Sequence, residues 1–450
     1  MKINPEFLRN IWLELTPVRM LGMPAVLGAI FLLIYLIQND FYTNAMQVIS
    51  MTIYVVLVYI WGIRLASDAV INEMRDGTWD SQRMSSIGAW SMGWGKLFGS
   101  TVYPWYGGLM CIVVYLISST HYDGARPLKV AAVVLVAGVL AQAIALSTSL
   151  IQARRNIVRA KTSSALSLVL GIFFVLPVIR AALEEQVSVV WYGQQYDHFL
   201  FSITSLIIFT AWMIIGIYRQ MRVELQIRST PLVWMAFISY LAIYLAGFVD
   251  IDGGSDLTFT ARNFIFYIIF ISMAYLTIFL EPKNPVTFRR LFYQLEHSGY
   301  WRAFYHVPIW VATLFLVVVS VISILLDSNP TIGAFNLDEM TDVKVFVVAS
   351  VFFLMRDILL ILYLNFGEKA KRADSAALVY LFVLYFIIPG IFSLSGLPVI
   401  KALFIPFSPD HMLTENYFVY SMWSALLQMV FMFWLLLTRW RELNKTTDAV

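Results

Sequence analysis

The sequence predicts an all-α, polytopic integral membrane protein with about twelve transmembrane helices. Of its 450 residues, 60% are hydrophobic and only 13% are charged, and the mean hydropathy is +0.75. A soluble domain of this length cannot bury so much apolar surface. Apolar runs of roughly 16 to 22 residues recur between short polar breaks, and each run is long enough to cross the hydrocarbon core as a helix.

These apolar runs define twelve predicted spans. They are Met20–Ile37, Met46–Ile63, Leu97–Ile117, Val130–Ile151, Thr162–Ile179, Phe199–Tyr218, Thr230–Val249, Asn263–Leu280, Val307–Leu326, Val345–Leu364, Ser375–Leu394 and Tyr417–Leu437. Ahead of the first span, Asn4 and Pro5 are typical of a helix start. The residues that follow alternate apolar and polar faces, which predicts an amphipathic helix at the membrane interface.

The Lys and Arg residues are divided unequally between alternate loops. With twelve spans, 24 of the 31 fall on the side that holds both termini, six fall on the other side, and Arg356 lies inside a span. Cytoplasmic loops hold the excess of Lys and Arg in membrane proteins. We therefore predict that both termini are cytoplasmic, in a multi-pass protein of the cell membrane, the bacterial inner or plasma membrane.

The two halves of the chain align at a shift of about 210 residues, which indicates an internal duplication. Thr78-Trp79 falls on Thr287-Phe288, and Ser163–Pro177 falls on Ser375–Pro389. Six spans per half is an even number, so we expect parallel repeats related by an axis along the membrane normal. The predicted repeats cover residues 1–218, with a long cytoplasmic loop at 64–100, and residues 219–450, with the matching loop at 281–304.

The loop at 64–100 carries the most specific pattern in the sequence. Its members are Glu73, Gly77, Thr78, Trp79, Asp80, Ser86, Trp90, Gly95 and Lys96. This pattern, with the amphipathic first helix and six spans per half, resembles the ABC-2 type family of ABC transporter permeases. The resemblance implies a permease, expected to be an exporter of an unidentified substrate, that is driven by two copies of a separate ATPase subunit on the cytoplasmic side.

The matching loop of the second half departs from that pattern. It has Glu281, Val286, Thr287 and Arg302 at the corresponding places, without the Gly or the Gly-Lys, and its charges around Glu281 include Arg289 and Arg290. In the first loop, Gly77 can take a positive φ and end the preceding helix, and Thr78 can cap the next one. Glu73, Asp80 and Arg83 then remain to pair with charges of another protein. We expect the first loop to dominate coupling and the second to serve as an electrostatic dock.

No ATPase site is predicted in the chain. A phosphate-binding loop needs Gly, four residues, then Gly-Lys-Ser/Thr, whereas the run ending at Gly95-Lys96 has Trp90 and Leu97 at the other two places. We expect no cofactor, catalytic residue or metal site here, because ATP and Mg would be bound by the partner subunits. Membrane lipid is the other expected partner, and no nucleic acid is expected.

Ionisable residues at membrane depth are a second candidate site, since they are costly there and usually functional. Arg356 and Asp357 lie within the tenth predicted span, and His306 lies at the start of the ninth. Adjacent helical residues point about 100 degrees apart, so we do not expect Arg356 and Asp357 to pair with each other. An ion-coupled carrier and, less favoured, a membrane-embedded transferase are the alternatives to the permease.

Overall fold

The computed structural model describes residues 4–120, 125–154, 169–173, 175–176, 179–180, 188–227, 229–249, 255–297, 299–327, 340–367, 372–395, 398–406 and 417–448. Within these ranges the elements are helices and a single two-stranded hairpin of β1 (Ser188–Trp191) and β2 (Gln194–Asp197). Contacts divide the chain into two compact units. Unit one comprises Met1–Val190 and Gln194–Ser229, and unit two comprises Trp191–Gly193 and Thr230–Val450.

The helices of the described residues cover most of the predicted apolar runs. Unit one has Pro5–Glu14, Pro17–Gln38, Asn44–Tyr54, Val55–Trp61 (a π-helix), Gly62–Arg75, Trp79–Arg83, Ala89–Gly99, Val102–Ser118, Arg126–Arg154 and His198–Glu224. Unit two has Leu232–Ala246, Ser255–Leu280, Pro285–His297, Tyr300–Phe304, Ile309–Leu326, Met340–Asn365, Ala373–Phe382, Val383–Ile387 (a π-helix), Ile388–Leu394, Pro398–Lys401 and Tyr417–Asp448.

Nine helices in the described residues are long and apolar enough to cross a membrane. A tenth candidate is the pair Ala89–Gly99 and Val102–Ser118, which is bent by 51°. The apolar helix Leu232–Ala246 has 15 residues, which at 1.5 Å per residue falls short of a membrane core of about 30 Å. The predicted fifth span, Thr162–Ile179, lies largely outside the described residues. The chain is thus an all-α, multi-pass membrane protein, as its composition predicts.

A polar contact fixes the second spanning helix of unit one, Asn44–Arg75, inside the bundle. Seven of its residues around Val58 adopt π-helical winding, which disturbs the regular backbone hydrogen bonding. Gln142 Nε2 donates to Val58 O at 3.1 Å, and Gln142 Oε1 accepts from Trp105 Nε1 at 2.7 Å. Gly62 makes room, since a Cβ there would lie 2.3 Å from Gln142 Nε2. The single Gln142 amide therefore joins three helices, and it satisfies polar groups that lipid could not satisfy.

A tyrosine in each unit reaches a backbone carbonyl across the core. Tyr54 OH donates to Val134 O at 2.9 Å, and Tyr267 OH donates to Val347 O at 3.3 Å. In both pairs 80 residues separate donor from acceptor. The acceptor helix is the most deeply buried of the described spanning helices in each unit. Each unit thus contains a tyrosine-to-carbonyl hydrogen bond with the same sequence separation.

Candidate functional site

The N-terminal helix, Pro5–Glu14, begins where the sequence predicts. Asn4 Oδ1 accepts from the backbone amides of Glu6 at 3.0 Å and Phe7 at 3.4 Å. Pro5 occupies the first helical position, where its missing N–H costs nothing. The same Asn4 side chain donates from Nδ2 to Ser91 O at 2.7 Å. The cap therefore attaches the start of the chain to the helix Ala89–Gly99.

Gly77 ends the helix Gly62–Arg75, as predicted, with a φ of +73° that favours glycine. The Thr78 amide closes the turn onto Glu73 O at 2.9 Å. The expectation that the Thr78 side chain caps the following helix, Trp79–Arg83, was wrong. Its hydroxyl donates back to Glu73 O at 3.2 Å, because the carbonyls at the helix end still need donors.

Lys96 lies at the centre of a compact ion cluster, which we call the Lys96 cluster and define as Glu6, Arg9, Glu73, Gln82 and Lys96. Lys96 Nζ is 3.1 Å from Glu6 Oε1 and also bonds the Glu73 carboxylate. Arg9 bonds Glu6 at 2.8 Å and bonds Glu73, while Gln82 Nε2 donates to Glu73 Oε1 at 2.7 Å. Lys96 is 1% exposed and Glu6 is 2% exposed. Two acids balance two bases, so the buried charges are paired.

The Lys96 cluster corrects one expectation about the loop. Glu73 does not remain for a partner protein, because both of its carboxylate oxygens are used within the chain. Trp79 is buried, with its ring centroid 5.3 Å from Lys96 Nζ, a cation–π contact. Asp80 and Arg83 face outward and pair loosely at 3.5 Å. The short helix Trp79–Arg83 thus packs on the cluster with one side and leaves Asp80 accessible.

Close helix packing, which the sequence reasoning missed, brings Glu6 into the cluster. A Cβ at Gly95 would lie 2.7 Å from Glu6 Cβ, and a Cβ at Gly99 would lie 2.7 Å from Asn10 Cβ. The Gly95-x-x-x-Gly99 spacing places both glycines on one face of the helix Ala89–Gly99. Asn10 Nδ2 donates to Glu6 O at 2.8 Å at this contact. The Gly-x-x-x-Gly spacing was the signal that could have predicted it.

The loop of the second unit is organised by two ionic groups, the half-buried Glu281 and the buried Lys283. Glu281 Oε2 accepts from the amides of Ile309 at 2.7 Å and Trp310 at 3.4 Å, and so caps the helix Ile309–Leu326. Lys283, which the sequence reasoning did not single out, donates to Ile278 O at 2.7 Å and lies 3.0 Å from Asp374 Oδ1. Cations are favourable at such a helix C-terminus.

The remaining predicted residues of that loop lie apart from these two groups. Arg289 Nη2 donates to Leu443 O at 2.8 Å, which attaches the helix Pro285–His297 to the terminal helix. Thr287 and Arg290 are exposed on the same helix. Arg302 belongs to the helix Tyr300–Phe304, and its side chain lies outside the described part of the structure. His306 is half-buried just before Ile309–Leu326, where its amide donates to Ala303 O at 2.8 Å.

Replacing Glu281 with Ala is expected to lower the stability of unit two by about 1 kcal/mol or more, the usual cost of losing a helix N-cap acceptor. Thermal unfolding of the purified chain in dodecyl maltoside micelles measures this loss. The control is Glu296→Ala, because Glu296 is 75% exposed and makes only a 4.0 Å contact with His297. Equal melting temperatures for the two variants would contradict the capping role.

Arg356 and Asp357 form a polar network at membrane depth in unit two. Arg356 Nε donates to Asp357 Oδ1 at 2.8 Å, and Arg356 Nη1 donates to Gln428 Oε1 at 2.7 Å. Asp357 Oδ2 accepts from Tyr275 OH and from Tyr385 OH, both at 2.6 Å. These side chains come from four spanning helices. We call Tyr275, Arg356, Asp357, Tyr385 and Gln428 the Asp357 network.

The expectation that Arg356 and Asp357 do not pair was wrong. Their Cα–Cβ bonds do diverge around the helix, but the long arginine side chain curves back and places its Nη2 2.7 Å from Asp357 Oδ1. An unpaired charge at this depth would be costly, so the flexible partner closes the distance. Tyr385 reaches Asp357 from the π-helical stretch Val383–Ile387, a winding often found at functional sites.

Comparison with known proteins adds no relative to these observations. No family model, curated protein or solved structure matches the chain. The predicted residues Glu73, Trp79 and Lys96 come together in the Lys96 cluster, and Arg356 and Asp357 come together in the Asp357 network. The conclusions on function therefore rest on these two sites and on the sequence pattern.

Proposed function

We propose that this chain is the membrane-embedded permease subunit of an ABC transporter of the ABC-2 type, working as an exporter. Two copies of a separate ATPase subunit bind its cytoplasmic side and supply ATP hydrolysis. The chain carries twelve spans in two parallel six-helix repeats and keeps both termini in the cytoplasm of a bacterial cell. The transported substrate is not specified by the sequence pattern.

The observation that carries this proposal is the packing of the helix Trp79–Arg83 on the Lys96 cluster. The cluster links three segments: the N-terminal helix through Glu6, the second spanning helix through Glu73, and the bent third span through Lys96. A force applied to such a short helix would pass to all three segments at once, because they are joined by buried ionic contacts. Its accessible acidic residue Asp80 offers a contact for a cytoplasmic motor.

Two further observations support the duplicated topology. The Tyr54–Val134 and Tyr267–Val347 hydrogen bonds have equal sequence separation and are offset by a shift close to that of the sequence alignment. The excess of Lys and Arg on one side supports the orientation. The asymmetry between the two cytoplasmic loops also remains part of the proposal. Glu281 and Arg289 are engaged within unit two, so among the described side chains Arg290 is the exposed cation of the dock, and Arg302 stays part of the proposal.

An ion-coupled carrier is the second candidate, and the Asp357 network favours it. Such carriers use intramembrane carboxylates for ion coupling, and Asp357 is fully buried. However, Arg356, Tyr275 and Tyr385 already bond both of its oxygens, so a coupling ion would have to displace one of these groups. The permease therefore remains the better-supported function, and no feature of the described residues favours the transferase.

The experiment uses the chain affinity-purified from its native membrane, with bound proteins identified by mass spectrometry and ATP hydrolysis measured in proteoliposomes. We expect a bound ATPase that has a phosphate-binding loop, hydrolysis by the complex, and none by the chain stripped of that subunit. Gly77→Val should reduce hydrolysis by the complex several-fold, because a left-handed backbone costs a β-branched residue about 1 to 2 kcal/mol or more.

Gly88→Val is the matched control for that variant. Neither Gly77 nor Gly88 has an atom within 4 Å of the position of an added Cβ, but Gly88 has a φ of −70°, which any residue adopts. The two substitutions therefore differ in backbone strain and not in steric room. Hydrolysis of ATP by the chain alone would count against the permease assignment, and equal activity of the two variants would count against coupling through the helix Trp79–Arg83.

A further inference from the structure

In the Asp357 network, the carboxylate of Asp357 is hydrogen-bonded at both oxygens, whereas the guanidinium of Arg356 still has N–H groups without an acceptor among the described residues. Both oxygens of Asp357 have partners, from Arg356, Tyr275 and Tyr385. Arg356 has five N–H groups, yet among the described residues only Nε and Nη1 donate hydrogen bonds. Its Nη2 is in ionic contact with Asp357 but is buried without a hydrogen-bond acceptor. Arg356 is only 3% exposed, and buried N–H groups normally have an acceptor. Its unused N–H groups can therefore donate to an acceptor on a ligand.

Gln428 provides the point of access to these donors. Its Oε1 accepts from Arg356, while its Nε2 donates to Leu403 O at 2.6 Å and to Ser424 Oγ at 2.9 Å. The Gln428–Leu403 bond is exposed at the surface of the chain. Rotation of this one side chain would therefore open Arg356 to a ligand. No cavity has to exist beforehand, because Gln428 itself occupies the position of the acceptor.

The charge balance decides what kind of ligand fits. Arg356 and Asp357 together are neutral, and a ligand with one charge would leave a net charge in a medium where charge is costly. A zwitterion keeps the site neutral. Its anionic group can replace Gln428 Oε1 on Arg356, and its cationic group can replace one of the two tyrosine hydroxyls on Asp357 Oδ2.

We propose that the Asp357 network is a binding site for the head group of a zwitterionic amphiphile, a molecule that carries one anionic and one cationic group on an apolar chain. The aromatic ring of Phe353, whose centroid is 4.7 Å from the Arg356 guanidinium carbon, forms one wall of the site. The site belongs entirely to unit two, and an amphiphile can bind to it without the ATPase subunit. Its test is therefore independent of the proposed transport function.

The test measures binding of four amphiphiles with the same twelve-carbon chain to the purified full-length protein in dodecyl maltoside, by native mass spectrometry. The head groups are phosphoethanolamine, phosphate, ammonium and hydroxyl. We expect the phosphoethanolamine compound to bind about tenfold more tightly than each of the other three, which corresponds to 1.4 kcal/mol. Binding of all four within twofold would overturn the proposal.

Variants of the pair distinguish a binding role from a purely structural one. Arg356→Gln leaves the carboxylate and should shift the preference to dodecylammonium, whereas Asp357→Asn leaves the guanidinium and should shift it to dodecyl phosphate. The double variant carries no charge and should show no preference among the head groups. An unchanged ranking in the variants would overturn the proposal, since a structural pair alters stability but not head-group selection. If either single variant cannot be purified, the comparison of the native chain with the double variant decides.

Such a head group can come from a bilayer lipid or from a transported molecule. Measuring dioleoylphosphatidylethanolamine beside the single-chain compound separates the two sources. Equal affinity for both would identify a site for membrane lipid, and binding of the single-chain compound alone would identify a site for a soluble amphiphile. Both results require that the phosphoethanolamine head group binds more tightly than the other head groups. If neither compound with this head group shows that preference, the proposed site is refuted.

Discussion

Replacing Lys96 with Met should destabilise unit one by about 3 to 5 kcal/mol, the usual cost of leaving buried charge without its partner. Methionine keeps most of the side-chain length but removes the ammonium group. Glu6, 2% exposed, then faces Glu73 with Arg9 as the one remaining cation of the cluster. Thermal unfolding in dodecyl maltoside micelles, followed by tryptophan fluorescence, measures the loss.

The matched control replaces a basic residue of the same segment. Arg83→Met removes a loose and exposed contact with Asp80, which contributes less than about 1 kcal/mol. Glu6→Gln introduced together with Lys96→Met should recover part of the lost stability, because Arg9 alone would then balance one carboxylate instead of two. If Lys96→Met melts at the same temperature as Arg83→Met, the cluster does not hold the N-terminal helix in place.

A comparable loss, about 3 to 5 kcal/mol, is expected when Asp357 is replaced with Leu. The substitution leaves the Arg356 guanidinium buried without a counter-ion, and it removes the acceptor shared by Tyr275 OH and Tyr385 OH. Because those hydroxyls come from two other spanning helices, the packing of unit two should loosen around the helix Met340–Asn365, which carries Asp357. Thermal unfolding of the purified chain, monitored by near-ultraviolet circular dichroism, tests this.

The double variant Arg356→Met with Asp357→Leu is the decisive comparison. Removing both partners of a buried ion pair is often neutral, whereas removing one leaves an isolated charge. We therefore expect the double variant to be more stable than Asp357→Leu alone, a clear departure from additivity. Stabilities that simply add would show that the two side chains do not act as a pair.

The start of the N-terminal helix and the helix end in the loop at 64–100 could be predicted from the sequence, because interactions between residues close in the chain decide them. The helix start at Asn4-Pro5 follows from side-chain capping, and the helix end at Gly77 follows from the freedom of glycine at positive φ. The role of Thr78 was predicted wrongly. Its hydroxyl can bond either the preceding carbonyl or the following amides, and sequence alone does not rank two local options of similar energy.

The ionic partners were not accessible in the same way. Glu6 and Lys96 are 90 residues apart, and the contact exists because Gly95 and Gly99 allow two helices to approach. The sequence reasoning treated Lys96 as part of a motif and gave it no partner. At Arg356 and Asp357 the reasoning used the direction of the Cβ atoms and neglected the reach of arginine, which spans the gap between adjacent positions.

By itself, the sequence determined the class of the protein and the positions of most helices, because apolar runs of spanning length leave a membrane helix as the available structure. It also determined the cap at Asn4 that begins the first helix and the glycine at Gly77 that ends the helix Gly62–Arg75. Only the tertiary structure decided which charges meet. Ion pairs depend on how closely helices pack and on the rotamers of long side chains, and neither follows from spacing along one chain. The Lys96 cluster and the Asp357 network, on which both proposals rest, belong to that second kind of information.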